Sequence, residues 1–214
     1  MLEALRTVLL DPTLLAVYLL AAGAMILSPG PDTVYVLTRS VGDGRESGLA
    51  SAAGISVGVL VHTLAAAVGL AAIFRASELA FAAVTYVGAA YLLYLGVRTI
   101  RETELFADDD GPAGDGSPFR EAVIVNVANP QVALFFLAFL PQFVDGSAHV
   151  PVQLSALGAI YAALTMGYLG TVAVASSGVR RLLLTRPRIA SGVRWLSGLV
   201  LIGLGVRLFV GSVG

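Results

Sequence analysis

The sequence predicts an all-α fold, a polytopic membrane protein of six transmembrane helices built as two inverted three-helix repeats. Three observations carry this prediction. The 214 residues are 57 % hydrophobic and 13 % charged, with mean hydropathy +0.86, against about 25 % charged residues in soluble domains. Apolar stretches long enough to cross a bilayer fall at about 13–34, 47–73, 78–98, 122–144, 152–176 and 193–211. The first and the fourth are each interrupted by a polar, helix-breaking cluster.

The first stretch ends in SPGPDTVYVL, Ser28 to Leu37. Pro29, Gly30 and Pro31 cannot continue a helix, because proline lacks the backbone donor and clashes with the preceding turn. An ionised Asp32 at bilayer depth costs about 2.5–3.5 kcal/mol on insertion scales. Irregular backbone with a charge is tolerated there only where it lines a protein-enclosed or wet cavity. Two roles fit Asp32: a helix N-cap near the interface, or a cavity carboxylate that pairs with an ammonium group or carries a proton. The stretch is expected to stay in the mature protein, since Glu3 and Asp11 flank it and no small-residue cleavage site follows.

The second stretch is rich in Ala and Gly and must pack against protein. Gly54-x-x-x-Gly58 is a close-packing motif, and His62 lies one turn further along the same face. That histidine is either a hydrogen-bonded packing residue or a proton-coupling group. The third stretch, YVGAAYLLYLGVR (Tyr86 to Arg98), aligns without gaps to WLSGLVLIGLGVR (Trp195 to Arg207) in the sixth, sharing LGVR and one further Leu. Tyr86, Tyr94 and Trp195 sit near span ends as interface anchors.

The fourth stretch carries Asn126-x-x-Asn129-Pro130-Gln131. Asn126 and Asn129 project from one helical face, and Pro130 frees the Asn126 carbonyl from its usual partner. A freed carbonyl and two amides suit a zwitterion, although asparagine also serves as interhelical glue. In the fifth stretch Tyr161, Thr165 and Tyr168 share a face as uncharged hydrogen-bonding groups. Two halves of three spans, about 12–101 and 119–211, take opposite orientations because an odd number of crossings flips the second copy. Carriers with this plan bind substrate between paired broken helices. The substrate-binding candidates are therefore Pro29, Gly30, Pro31, Asp32, Asn126, Asn129, Pro130 and Gln131. Asp32 and His62 are the proton-coupling candidates.

An acidic, Gly- and Pro-containing loop, 102–120, joins the halves of this single domain, and residues 178–194 carry five arginines. The connections 1–2, 3–4 and 5–6 hold Arg39, Arg45, Arg98, Arg101, Arg120, Arg180, Arg181, Arg186, Arg188 and Arg194, whereas the opposite side holds Arg6, Arg75 and Arg207. Basic residues in short loops stay inside. Both termini are thus expected outside the cytoplasmic membrane.

The composition excludes several classes. Cysteine is absent, which removes disulfide, thiol and thiolate-metal chemistry. A formal net charge of −1 lacks the basic patch that nucleic acid requires. Two histidines, His62 and His149, cannot make a multi-histidine metal centre. Neither a P-loop, a dinucleotide fingerprint nor a nucleophile motif is present. Neither enzyme activity nor a cofactor is expected.

The two motif blocks, with GAAYLLYLGVRTIR between them, resemble the LysE/RhtB family of amino-acid exporters over nearly the whole chain. The blocks are SPGPDTVYVLTRSVGDGRESGLASAAGISVGVLVHTLAAAVGLAAI and VNVANPQVALFFLAFLPQFV. The resemblance implies a multi-pass inner-membrane carrier that exports amino acids or their derivatives using an ion gradient. Its motif positions fall on Pro29, Gly30, Pro31, Asp32, Gly54, His62, Asn126, Asn129 and Pro130. Where that family usually has Lys after Asn-Pro, this chain has Gln131. The expected partners are a small-molecule substrate and the lipid bilayer, with a homo-oligomer left open. Competing readings are a metal-cation exporter, which one intramembrane carboxylate serves poorly, and a non-transporting scaffold subunit.

Overall fold

The computed structural model describes residues 12–28, 30–76, 78–101, 116–144, 149–176 and 187–211. Pro29, loop residues 102–115, Arg180, Arg181 and Arg186, and both chain ends including Arg6 lie outside the described residues. Every regular element among the described residues is helical: α1 (Pro12–Leu27), α2 (Pro31–Gly42), α3 (Arg45–Ala76), α4 (Glu78–Arg101), α5 (Pro118–Val127), α6 (Pro130–Leu134), α7 (Val150–Val174) and α8 (Pro187–Gly211). After α6 the chain continues through a π turn, Phe135–Phe139, and a 3₁₀ turn, Leu140–Phe143. Pro141 sits at the start of that last turn, where it supplies no amide hydrogen.

Among the described residues two helices are long and apolar enough to cross a membrane, Arg45–Gly69 and Val150–Val174, and the count rises to four if each bent pair is one span. The pairs are α1 with α2, bent by 52°, and α5 with the stretch Pro130–Phe143, bent by 50°. Helices also cover the third and sixth apolar stretches, as α4 and α8. Both long connections are shorter than their composition suggests. Residues 118–120 already belong to α5 and 187–194 to α8, because Pro118 and Pro187 occupy the first helical position, where the fixed proline φ favours a helix start.

Large apolar side chains such as Leu20, Leu64, Val68, Leu196 and Val210 are exposed, the perimeter that lipid requires. The interior is aromatic. Phe135, Phe136, Phe139 and Tyr161 are buried and pair edge-on or tilted, with centroids 5.0–5.3 Å apart for Phe135–Phe139, Phe135–Tyr161 and Phe136–Tyr161. The Tyr18 hydroxyl, buried with them, donates to the Leu157 carbonyl at 2.7 Å, as a phenol away from water must.

Small residues bring backbones together. α4 and α8 cross so closely that a Cβ on Gly96 would lie 2.7 Å from the Gly198 carbonyl oxygen and 2.7 Å from Ile202 Cγ1. A Cβ on Gly205 would lie 3.0 Å from the Ala89 carbonyl oxygen and 2.9 Å from Leu93 Cγ. Between α2 and α3 the chain reverses through Gly44 at φ +91°, a left-handed conformation that glycine adopts without steric cost.

Candidate functional site

The two helix breaks meet. In the first, Gly30 is extended and precedes α2, with Pro31 at the helix start and Asp32 in its first turn. Asp32 is therefore not the cap; its carboxylate is left for other partners. In the second, α5 stops at Val127 and Asn129 caps α6, its Oδ1 accepting the Gln131 backbone N–H at 3.0 Å. Across the gap Asn126 Nδ2 donates to Asp32 Oδ2 at 2.7 Å and Asn129 Nδ2 donates to Asp32 Oδ1 at 3.2 Å. Each carboxylate oxygen holds one amide from the other broken helix, a charge-assisted pairing.

Pro130 has no N–H to give the Asn126 carbonyl. That oxygen instead accepts the Asn129 backbone N–H at 2.9 Å and lies 3.1 Å from His62 Nε2. A carbonyl only accepts, so Nε2 is the protonated nitrogen. The same face of α3 supplies the room. A Cβ on Gly58 would stand 2.6 Å from Asn126 Oδ1, and one on Gly54 would stand 2.7 Å from Ala122 Cβ and press on the Phe119 carbonyl. Gly54, Gly58 and His62 thus seat α5 against α3 by successive turns of one stripe.

Beside the breaks lies a small, partly open cavity. Gly30, Asp32, Asn129 and Gln131 line it, joined by Tyr161 and Thr165 from α7. Met25, Ile26, Val59, Val132 and Leu169 form its apolar wall. Asp32 is the one charged group among the described lining residues. Asn126 is fully buried behind Asp32, and the Pro31 and Pro130 rings are exposed; these three shape the site without lining it. His62 is also outside the lining and reaches Asp32 through Asn126.

A polar cluster escaped the sequence reading. Arg39, only 5 % exposed, pairs with Asp43 at 2.6 Å and with Glu121 of α5. Its Nε donates to the Tyr35 hydroxyl at 3.2 Å, which lies 3.0 Å from Glu121 Oε2. The sequence presents Arg39 merely as one of several loop arginines. It is a buried clamp between α2 and α5.

Residues 23–212 match the family described as LysE type translocator. The chain belongs to that family. This LysE type translocator is 33 % identical over 199 residues to an uncharacterised membrane protein of Pseudomonas aeruginosa, covering 89 % of this chain and 92 % of that one. It is 31 % identical over 195 residues to leucine efflux proteins of Salmonella typhimurium and Klebsiella pneumoniae, with the same coverage of 89 % and 92 %. No solved structure matches it. At family level this is an amino-acid exporter of the membrane.

Proposed function

We propose that this translocator exports neutral amino acids with apolar side chains, leucine among them, across the cytoplasmic membrane in exchange for protons. The observation that carries the proposal is the single carboxylate of Asp32, held at two helix breaks beside an apolar-walled cavity. That carboxylate binds either a proton or a substrate ammonium group, so the two compete for one site. Exchange of one for the other across an alternating barrier couples efflux to the proton gradient. His62 steadies the Asn126 carbonyl and acts on Asp32 at one remove. The cavity offers one carboxylate, short of the several oxygens a hard cation takes; a metal-cation exporter is the weaker reading.

The architecture belongs to the same proposal: six spans, two inverted repeats, both termini outside. Its support is reciprocal contact. Aligning Tyr86–Arg98 with Trp195–Arg207 pairs Gly96 with Gly205, Ala89 with Gly198 and Leu93 with Ile202. Exchanging the halves turns the Gly96 contacts, Gly198 and Ile202, into the Gly205 contacts, Ala89 and Leu93. Aligning Pro31 with Pro130 does the same at the breaks. Asp32 meets Asn129, and Gln131 Oε1 lies 3.4 Å from the Cβ position of Gly30. A pseudo-two-fold axis in the membrane plane would generate both pairs.

The test is efflux of preloaded leucine from proteoliposomes with and without an imposed pH gradient. Gradient-stimulated, saturable efflux is expected. Efflux indifferent to the gradient removes the proton coupling, and no efflux above protein-free vesicles removes leucine export.

A further inference from the structure

Serine and threonine in membrane helices ordinarily satisfy their hydroxyls by donating to the carbonyl one turn back. This chain follows that habit at Ser40, Ser51, Ser56, Thr63, Ser155 and Thr171, each within 2.6–2.8 Å of the carbonyl four residues earlier. Thr165 departs from it. It is 4 % exposed, it lines the cavity, and its Oγ1 has no hydrogen-bond partner. A hydroxyl buried without a partner costs about 1–3 kcal/mol. Tyr161, Thr165 and Leu169, spaced by four on α7, all line the cavity.

We infer that the Thr165 hydroxyl is the group that recognises the substrate's carboxylate and so separates amino acids from amines. The inference rests on the transport reading above. An α-amino acid carries its two charges on one carbon, so with its ammonium on Asp32 the carboxylate needs a donor within the same small cavity. No arginine, lysine or histidine is among the described lining residues, which leaves neutral donors. Among these, Asn129 Nδ2 is bonded to Asp32, Ser28 Oγ lies 3.5 Å from Thr99 Oγ1, Thr33 bonds Tyr168 and Gln131 Nε2 lies 3.9 Å from Met25 Sδ. Thr165 Oγ1 is the one described lining side-chain atom buried with no partner. Thr165 thereby contributes a neutral acceptor-facing contact, and the apolar wall takes the side chain.

The experiment is counterflow of labelled leucine in proteoliposomes, competed by unlabelled leucine or by 3-methylbutylamine, which keeps the side chain and ammonium but lacks the carboxylate. Thr165→Val removes the hydroxyl at nearly constant shape, and Thr165→Ser retains it. A hydrogen bond to a charged group corresponds to a loss of about 10-fold or more in affinity. Thr165→Val is expected to weaken leucine by that factor, leave the amine within about 2-fold, and lose most of the discrimination between them. Thr165→Ser should restore it. Equal weakening of both competitors in Thr165→Val, or no change in either, overturns the assignment while wild-type counterflow upholds the transport reading. A wild-type protein without saturable leucine counterflow overturns the transport reading first. If Thr165→Val does not reconstitute, Thr165→Ala is read for the same ratio.

Discussion

Asp32→Asn separates the charge of the site from its architecture, and the structure says how cleanly. In the native protein the two carboxylate oxygens accept amide hydrogens from Asn126 and Asn129. The new amide has one oxygen and one NH₂, so one of those neighbours must turn its own oxygen toward it. Asn129 cannot turn without surrendering the Gln131 cap. Asn126 can, because its Oδ1 has no partner to lose. After that rotation both contacts across the breaks persist as neutral hydrogen bonds. A charge-assisted bond contributes about 1.5–3 kcal/mol and a neutral one about 0.5–1.5 kcal/mol, so each contact weakens by about 1 kcal/mol. Relief from burying a carboxylate acts in the opposite direction. The variant is expected to reconstitute at the wild-type level with little change in thermal stability. Its transport is a different matter. Neither a proton nor an ammonium group has a charge to bind, so gradient-driven leucine efflux should fall at least 10-fold and lose its response to pH. Purified protein in liposomes at matched density, assayed with and without the gradient, reads both properties. Efflux within a factor of two of wild type would refute the role given to Asp32. A variant that fails to fold would refute the rotation argument at Asn126.

Three further outcomes follow from the packing and the arginine distribution. Gly58→Ala drives a methyl to 2.6 Å from Asn126 Oδ1 and should destabilise by about 1–3 kcal/mol, as overpacking does, and reduce transport. Gly167→Ala meets nothing within 4 Å and should be neutral or slightly stabilising. Equal melting temperatures for the two variants would sink the argument. Arg39→Met strips both Asp43 and Glu121 of their cation. Those carboxylates are 31 % exposed and can rehydrate, so the cost should fall below the 3–5 kcal/mol of a fully buried pair, at about 1–3 kcal/mol; an unchanged unfolding midpoint would contradict it. In this cysteine-free chain, a Ser212→Cys variant should react with an impermeant reagent in intact cells and a Ser117→Cys variant should not. The reverse pattern would invert the proposed topology.

What was legible in the sequence was what violates a local rule. Pro31, Asp32, Asn129 and Pro130 stand out because an apolar helix has no use for them, and the structure brings three of the four polar candidates there, Asp32, Asn126 and Asn129, into one hydrogen-bonded group. The Gly54–Gly58–His62 stripe is legible for the same reason: a four-residue spacing projects the same face at every turn. Arg39 and Glu121 break no local rule. Each is ordinary near a helix end, and their ion pair joins positions 82 apart, a distance over which sequence pattern carries no signal. Thr165 is the instructive intermediate. Its spacing from Tyr161 marks the face, yet nothing in the sequence distinguishes it from Thr171, whose hydroxyl bonds the Gly167 carbonyl. The difference is the cavity, which exists only once the breaks of α1–α2 and α5–α6 are packed beside α7. Local violations therefore mark the two breaks that meet, and Thr165, the residue to which substrate discrimination is assigned in the proposal, is set apart only by what the broken helices leave empty beside it.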